Sequence, residues 1–278
     1  MNTTAKGAYQ IEVFEDGQLI EDTGEFDNLI TDLALAEGDP FNTGMLCIGT
    51  GTTPPLITDV SLEEEIAAKS CTFNTTATIT TKGNSRYAKR SVTSSFNGVS
   101  GNISEVGFRG GNLNAVRSRS LISDGNGVTT IIPVKPEQTI KISYFVYILI
   151  PDVMATGTVT TPYGSSAFTI KSHSDIHSPA GIFAGRFNNP FAGYSLRAIL
   201  ENDSYVESTV FNWVYDAGAR TAAATVNFLA TDEGNRVVHR FQSSIDTNNL
   251  PIIELETPLI NPLNSDISFT LTFSWNRA

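Results

Sequence analysis

Residues 70–96, SCTFNTTATITTKGNSRYAKRSVTSSF, decide the fold. Cys71, Phe73, Thr75, Ala77 and Ile79 recur at every second position, and Tyr87, Val92 and Phe96 follow after Gly83-Asn84. A period of two sends neighbouring side chains to opposite faces of an extended chain, so the stretch reads as half-buried strands joined by a turn. Residues 103–108, 116–122, 128–134 and 139–150 continue the pattern, separated by Gly110-Gly111, by Asp124-Gly125-Asn126-Gly127 and by Pro136. Short strands at such intervals predict an all-β chain, an antiparallel β-sandwich or jelly roll.

Working outward, residues 8–14 and 18–20 flank Asp16-Gly17, a strong hairpin signal. Asp27 stands where an N-cap would, ahead of Leu29, Ile30, Leu33 and Ala34 at helical spacing, with Gly38 placed to close the segment. This predicts one short N-terminal helix of about two to three turns. Residues 45–48 form a short apolar strand that enters the turn-rich loop Gly49-Thr50-Gly51-Thr52-Thr53-Pro54-Pro55, and a second helical turn is expected over 59–67. Pro151 stops the longest strand, and residues 154–161 read as a linker or crossover. Further strand-like runs lie at 167–171, 194–200, 209–214, 221–230, 237–241 and 267–275, with Pro190, Pro251, Pro258 and Pro262 in the connections. The expected organisation is an N-terminal sandwich that serves assembly, 1–151, followed by a second β-rich domain, 152–278. The alternating run 267–275 is also suited to return to the first sandwich as a closing strand.

The composition agrees. The chain has 278 residues, 40% hydrophobic and only 17% charged, with 32 Thr, 25 Ser and 21 Asn, which favours strands and turns over surface helices. A net charge of -11 argues against nucleic acid or an anionic membrane as partner, because both need clustered Lys and Arg. The first six residues lead into no apolar stretch of the secretory type, so synthesis in a cytoplasm is expected. The longest apolar run, 144–150, is far below the roughly 20 residues of a membrane helix. Cys47 and Cys71 are the only cysteines, too few for a disulfide framework, and read as small core residues.

Charge is segregated along the chain. Residues 1–65 carry fourteen acidic groups and one basic group, Lys6, whereas residues 66–150 carry ten basic groups against Glu105, Asp124 and Glu137. Two readings follow: the segments pair within one folded domain, or they meet across a subunit contact and set its register. The second makes Arg86, Lys89, Arg90, Glu105, Arg117 and Arg119 candidate interface residues.

The search for chemistry is largely negative. No phosphate-binding GxxxxGK[ST] run and no GxSxG nucleophile elbow occurs. No sequence cue links His173, His177 or His239 to a nucleophile. On an extended chain His173, Asp175 and His177 would share a face, a candidate metal set without a fourth ligand and set against a plain polar loop. Phe183, Phe187, Phe191 and Tyr194 cluster in a Gly-, Asn- and Pro-rich stretch and are candidate partner or glycan contacts. Neither a catalytic residue nor a cofactor is assigned.

Several phrases together resemble tailed-bacteriophage virion proteins of the tail, tail-tip or fibre class. They are the opening hairpin leading to Phe26-Asp27-Asn28-Leu29-Ile30-Thr31, then Ile48-Gly49-Thr50-Gly51 with Pro54-Pro55, then Asn102-Ile103-Ser104-Glu105-Val106-Gly107-Phe108, the most specific. Arg117-Ser118-Arg119-Ser120-Leu121-Ile122, Thr129-Thr130-Ile131-Ile132-Pro133-Val134 and a long strand ending at Ile150-Pro151 complete the match, over about residues 8–151. The resemblance implies a non-enzymatic structural protein of the virion, assembled in the host cytoplasm. Its partners would be further copies of itself in a symmetric oligomer and other virion proteins. A capsid decoration or head-fibre protein, and a receptor protein that binds a host-surface glycan, are the alternatives. On physical grounds Glu105 is a candidate partner for Arg117 or Arg119 across the neighbouring strand, and if it faces inward it must be paired.

Overall fold

The computed structural model describes residues 2–37, 41–74, 77–110, 115–124, 126–150, 153–161, 164–171, 196–200, 205–207, 210–228, 236–243, 252–261 and 267–277. Among the described residues the regular structure is strand apart from one short helix, so the protein is all-β and sandwich-like. By contacts the chain divides into two compact units, one of Thr4–Thr78, Ala88–Ile148 and Asn276–Ala278, the other of Met1–Thr3, Ile79–Tyr87 and Leu149–Trp275.

The first unit opens with β1 (Asn2–Glu15) and β2 (Gln18–Asp22). Asp16 and Gly17 join them with φ of 50° and 79°, both in the left-handed region, which is why an Asp-Gly pair marks this turn. β3 (Phe26–Ile30) and α1 (Asp32–Ala36) follow. The expected helix from Asp27 is therefore corrected: Phe26, Asp27 and Asn28 pair with β1 opposite Tyr9, Ala8 and Gly7. Sheet pairing overrides the helical spacing there, and the helix shrinks to one turn, capped by the Thr31 hydroxyl, which accepts from the Ala34 amide at 3.3 Å. β4 (Thr43–Gly49) and β5 (Glu65–Thr72) come next, then β6 (Thr78–Lys82), β7 (Ser85–Asn97), β8 (Gly101–Ile103), β9 (Glu105–Gly110), β10 (Ala115–Leu121), β11 (Ile132–Val134) and β12 (Thr139–Ile150). No helical turn forms at 59–67, where the chain is irregular up to the start of β5.

β1 pairs with β12 on one side and with β2 and β3 on the other. β3 then turns away from β1, and its last residues, Leu29 and Ile30, pair with Arg119 and Ser118 of β10, opening a second layer in the order β3-β10-β9-β4-β5. Aromatic side chains fill the space between the layers. Tyr9 stacks on Tyr144 with ring centroids 4.5 Å apart, and Phe108 of β9 faces Tyr144 at 5.7 Å and Phe73 at 5.3 Å. Of the residues whose alternation was read from the sequence, Phe73, Ala77, Val92 and Phe96 are buried, the first two in the connection between β5 and β6, whereas Cys71, Ile79 and Tyr87 are half-buried, and in β7 the inward positions are Ala88, Arg90, Val92, Ser94 and Phe96, out of phase with Tyr87.

The second unit takes in β6 from Ile79 and β7 up to Tyr87, and contains β13 (Val153–Thr161), β14 (Gly164–Lys171), β15 (Leu196–Leu200), β16 (Tyr205–Glu207), β17 (Val210–Asp216), β18 (Thr221–Phe228), β19 (Arg236–Ser243), β20 (Ile252–Asn261) and β21 (Ile267–Arg277). One sheet runs β13-β14-β20-β19-β15-β16, and β17, β18 and β21 form an antiparallel run. Residues 154–161, expected as a linker or crossover, lie in a strand paired along β14. β20 carries Pro258, which cannot donate to a ladder; its pairing with β19 shifts register between Leu259 and Glu254, and the proline falls inside that shift.

Phe108 is fully buried among Phe41, Phe73 and Tyr144. Phe108→Ala is expected to lower the stability of the protein by about 3–5 kcal/mol in denaturant unfolding; a loss under ~1 kcal/mol would show that this cluster is not the core.

Candidate functional site

The second layer has an outer face that is not apolar. Gly49 lies opposite Glu105, Cys47 opposite Gly107, and Gly107 opposite Arg119, so all five share one side of the layer, while Val106 and Phe108 point into the core. Residues 50–64, between β4 and β5, lie across this face as a strap. Leu62 is its buried plug and packs directly on Gly107, where a Cβ would come within 2.8 Å of the Leu62 side chain and 3.0 Å of the Ser118 carbonyl.

The strap is held by a buried carboxylate. Glu105 is fully buried and accepts from the amides of Gly51 at 3.1 Å, Glu64 at 2.8 Å and Glu63 at 3.2 Å. Its remaining bond comes from Arg119 Nε at 2.9 Å. Arg119, itself only 4% exposed, donates onward to Asp59 Oδ2 at 2.8 Å and to the Thr53 carbonyl at 3.0 Å. A buried ion pair is tolerated when its remaining lone pairs and protons are satisfied, and here backbone groups do most of that. Ser104 adds a hydroxyl bond to the Gly51 carbonyl at 2.7 Å and an amide bond to the Gly49 carbonyl at 3.0 Å. Gly49 and Gly51 are required for a steric reason, since a Cβ at either would sit 2.5 Å from Glu105 Oε1.

Within the strap, Glu63 accepts from the amides of Thr52 and Thr53 and from the Thr53 hydroxyl. The Thr53 hydroxyl and amide, followed by the Thr52 amide, hold the Glu63 carboxyl below its usual range. A carboxyl depressed in the folded state stabilises above its ordinary pKa and loses that contribution as pH falls through the lower folded value. Leu56, Ile57 and Val60 ride on the strap, exposed by 60%, 41% and 62%.

Of the sequence candidates, Glu105 and Arg119 do pair, and Arg117 does not join them. Arg117 is the extra residue of a β-bulge, because Val116 lies opposite Arg109 while Ser118 lies opposite Phe108. Its fully buried guanidinium pairs with Glu37 and donates to the Ala115 carbonyl at 2.9 Å. Arg90 is also buried, with Nε 2.9 Å from the Asn74 carbonyl and its guanidinium over the Phe73 ring. Lys89 lies 3.8 Å from the Phe145 ring centre and 3.7 Å from Glu25. Arg86 is half-buried and belongs to the second unit. Read as surface groups of a subunit contact, Glu105, Arg117, Arg119 and Arg90 are therefore corrected: all four are buried and bonded within the chain.

The same holds for the segregated charge. Glu12, Glu15, Glu25, Glu37, Asp59, Glu63 and Glu65 pair with Lys141, Lys135, Lys89, Arg117, Arg119 and Arg109, each pair joining the acidic segment to the basic one. His173, Asp175 and His177, and the aromatics Phe183, Phe187, Phe191 and Tyr194, lie outside the described residues. Among the described residues no group of three or more His, Cys, Asp or Glu could hold a metal, and no helix is long and apolar enough to cross a membrane. Cys47 is fully buried, and burial followed by the nearby Glu65 pushes its thiol up to about 12, so it is inert in place. Cys71, read as a second core cysteine, is only partly buried.

The sequence reading missed the strap, with Asp59, Glu63, Glu64 and Leu62. Gly49-x-Gly51 close before three consecutive acids was the available signal, but it was absorbed into a turn and a helix. Comparison with protein-family models, with curated proteins and with solved structures found no match.

Removing one partner of a buried pair strands the other. Arg119→Met is expected to destabilise the protein by about 3–5 kcal/mol in denaturant unfolding, and Gly51→Ala by about 1–3 kcal/mol. A neutral Arg119→Met would mean that the pair does not organise the strap.

Proposed function

We propose that the protein is a non-enzymatic structural component of a tailed-phage virion, tail- or fibre-associated, which assembles as a symmetric oligomer. The observation that carries this reading is where the resembling phrases lie. Ile48-Gly49-Thr50-Gly51 with Pro54-Pro55, Ser104-Glu105-Val106-Gly107 and Arg117-Ser118-Arg119 come from three separate parts of the sequence, yet together they supply the glycines at the start of the strap, the carboxylate, the hydroxyl, the cation and the bulge. Scattered short phrases that meet in one physical unit support a shared structural motif better than the same phrases would as independent matches. The motif is a fixed loop on a rigid layer, an arrangement suited to presenting a surface. A capsid decoration or head-fibre role rests on the same motif and differs in the particle to which the protein attaches.

Light scattering of the purified protein tests the oligomer. Because the segregated charges are paired inside the first unit, the expected result is a discrete multimer of the 30.0 kDa chain whose mass stays unchanged between low salt and about 1 M. A monomer at every concentration would overturn self-assembly, and a multimer that dissociates in salt would return the charges to an intersubunit role.

A further inference from the structure

The aromatic core of the first unit also encloses polar groups. Gly7 and Tyr9 of β1, Asn28 of β3 and Tyr144 of β12 share its inward face, since Gly7 lies opposite Asn28, and Tyr9 lies opposite both Phe26 and Tyr144. Ser118 of β10, opposite Phe108, reaches the same place from the second layer, and its hydroxyl lies 2.7 Å from that of Tyr9. Tyr9, Ser118 and Tyr144 are all fully buried. Tyr9 and Ser118 thus satisfy one another, but Tyr144 does not share in this. Its hydroxyl is sealed from solvent and bonds to no group among the described residues, and the same is true of both Nδ2 and Oδ1 of Asn28. Buried polar atoms in folded proteins are nearly all hydrogen-bonded, to protein or to ordered water, so these three call for a partner.

We propose that an ordered water molecule is bound inside the sandwich between the Asn28 carboxamide and the Tyr144 hydroxyl, joining the two layers at the corner where β3 passes from one to the other. Asn28 marks that corner. It is the last residue of β3 paired with β1, and Leu29 and Ile30 beyond it pair with β10. Its carboxamide packs over Gly7, where a Cβ would come within 2.1 Å of Oδ1, so a glycine at this position leaves room for a polar side chain to point inward. Burial above all pushes the Tyr9 and Tyr144 phenols up, so both keep their protons, and Ser118 and Asn28 act against that rise from beside the two hydroxyls. Asn28 is therefore close to Tyr144 without being bonded to it. A water has two donors and two acceptors, and between these groups it accepts from Asn28 Nδ2 and donates to the Tyr144 oxygen. The four side chains, Tyr9, Asn28, Ser118 and Tyr144, are all neutral, which suits a neutral ligand, because an ion would be buried among them without a counter-charge. The rings beside it are packed, Tyr9 against Tyr144 at 4.5 Å and Phe108 against Tyr144 at 5.7 Å, which limits the ligand to the smallest kind.

Two measurements on the full chain test the site. Oxygen-17 relaxation dispersion of the solvent counts waters held inside a protein for longer than its tumbling time. Asn28→Leu combined with Tyr144→Phe replaces all three unbonded atoms by apolar groups of similar shape. The count is expected to fall by one relative to the parent, with the far-ultraviolet circular dichroism of the sheets unchanged. An equal count in the folded double variant would overturn the site. In a crystal structure of the parent that resolves ordered solvent, the expected result is a water about 2.7–3.2 Å from both the Asn28 carboxamide and the Tyr144 oxygen. Asn28 bonded straight to Tyr144 or to Tyr9, with nothing between them, would overturn it as well. If the double variant does not fold, the crystal structure of the parent decides.

Discussion

The first unit is organised around one buried carboxylate. Glu105 accepts from four donors, three of them backbone amides from a loop more than forty residues earlier in the chain and the fourth the Arg119 side chain. An apolar residue at that site would remove the desolvation cost, and such replacements are often stabilising. It would also leave three strap amides without acceptors, so the ion pair gives the strap a single position that a greasy contact would not specify. Gly49, Gly51 and Gly107 follow from the same requirement, since side chains there would collide with Glu105 or Leu62.

This arrangement gives the charge segregation a physical meaning. Acidic residues precede position 65 and basic residues follow it because the partners meet on neighbouring strands or across the strap, so that the ion pairs close long loops. Most are partly exposed and contribute about 0–1 kcal/mol each. The exceptions are Arg117 with Glu37 and Arg119 with Glu105 and Asp59, where the cation is buried.

The sequence was most legible where local chemistry and the sheet agree. Asp16-Gly17 forms the hairpin turn, residues 139–150 are a strand with the limits their alternation indicated, and Val92 and Phe96 mark the buried side of β7. It misled where a tertiary partner outweighs local spacing. Leu29 and Ile30 have helical spacing but pair with β10, and residues 59–64 look helical but are held as a loop by Glu105. The pairing of Glu105 with Arg119 was foreseeable from burial cost and strand order. Arg117 was not separable from it in sequence, because a single-residue bulge sends it instead to Glu37. Pro258 hid β20, since a proline reads as a break and here falls at a register shift.

The most direct measurement is hydrogen exchange at the amides of Gly51, Glu63 and Glu64 at neutral pH, observed residue by residue. Among the described residues their acceptor is the Glu105 carboxylate, so the account predicts protection approaching that of β9 and β10, and its loss at all three together in Glu105→Gln. Exchange at the rate of an open loop in the wild-type protein would contradict the claim that this carboxylate fixes the strap.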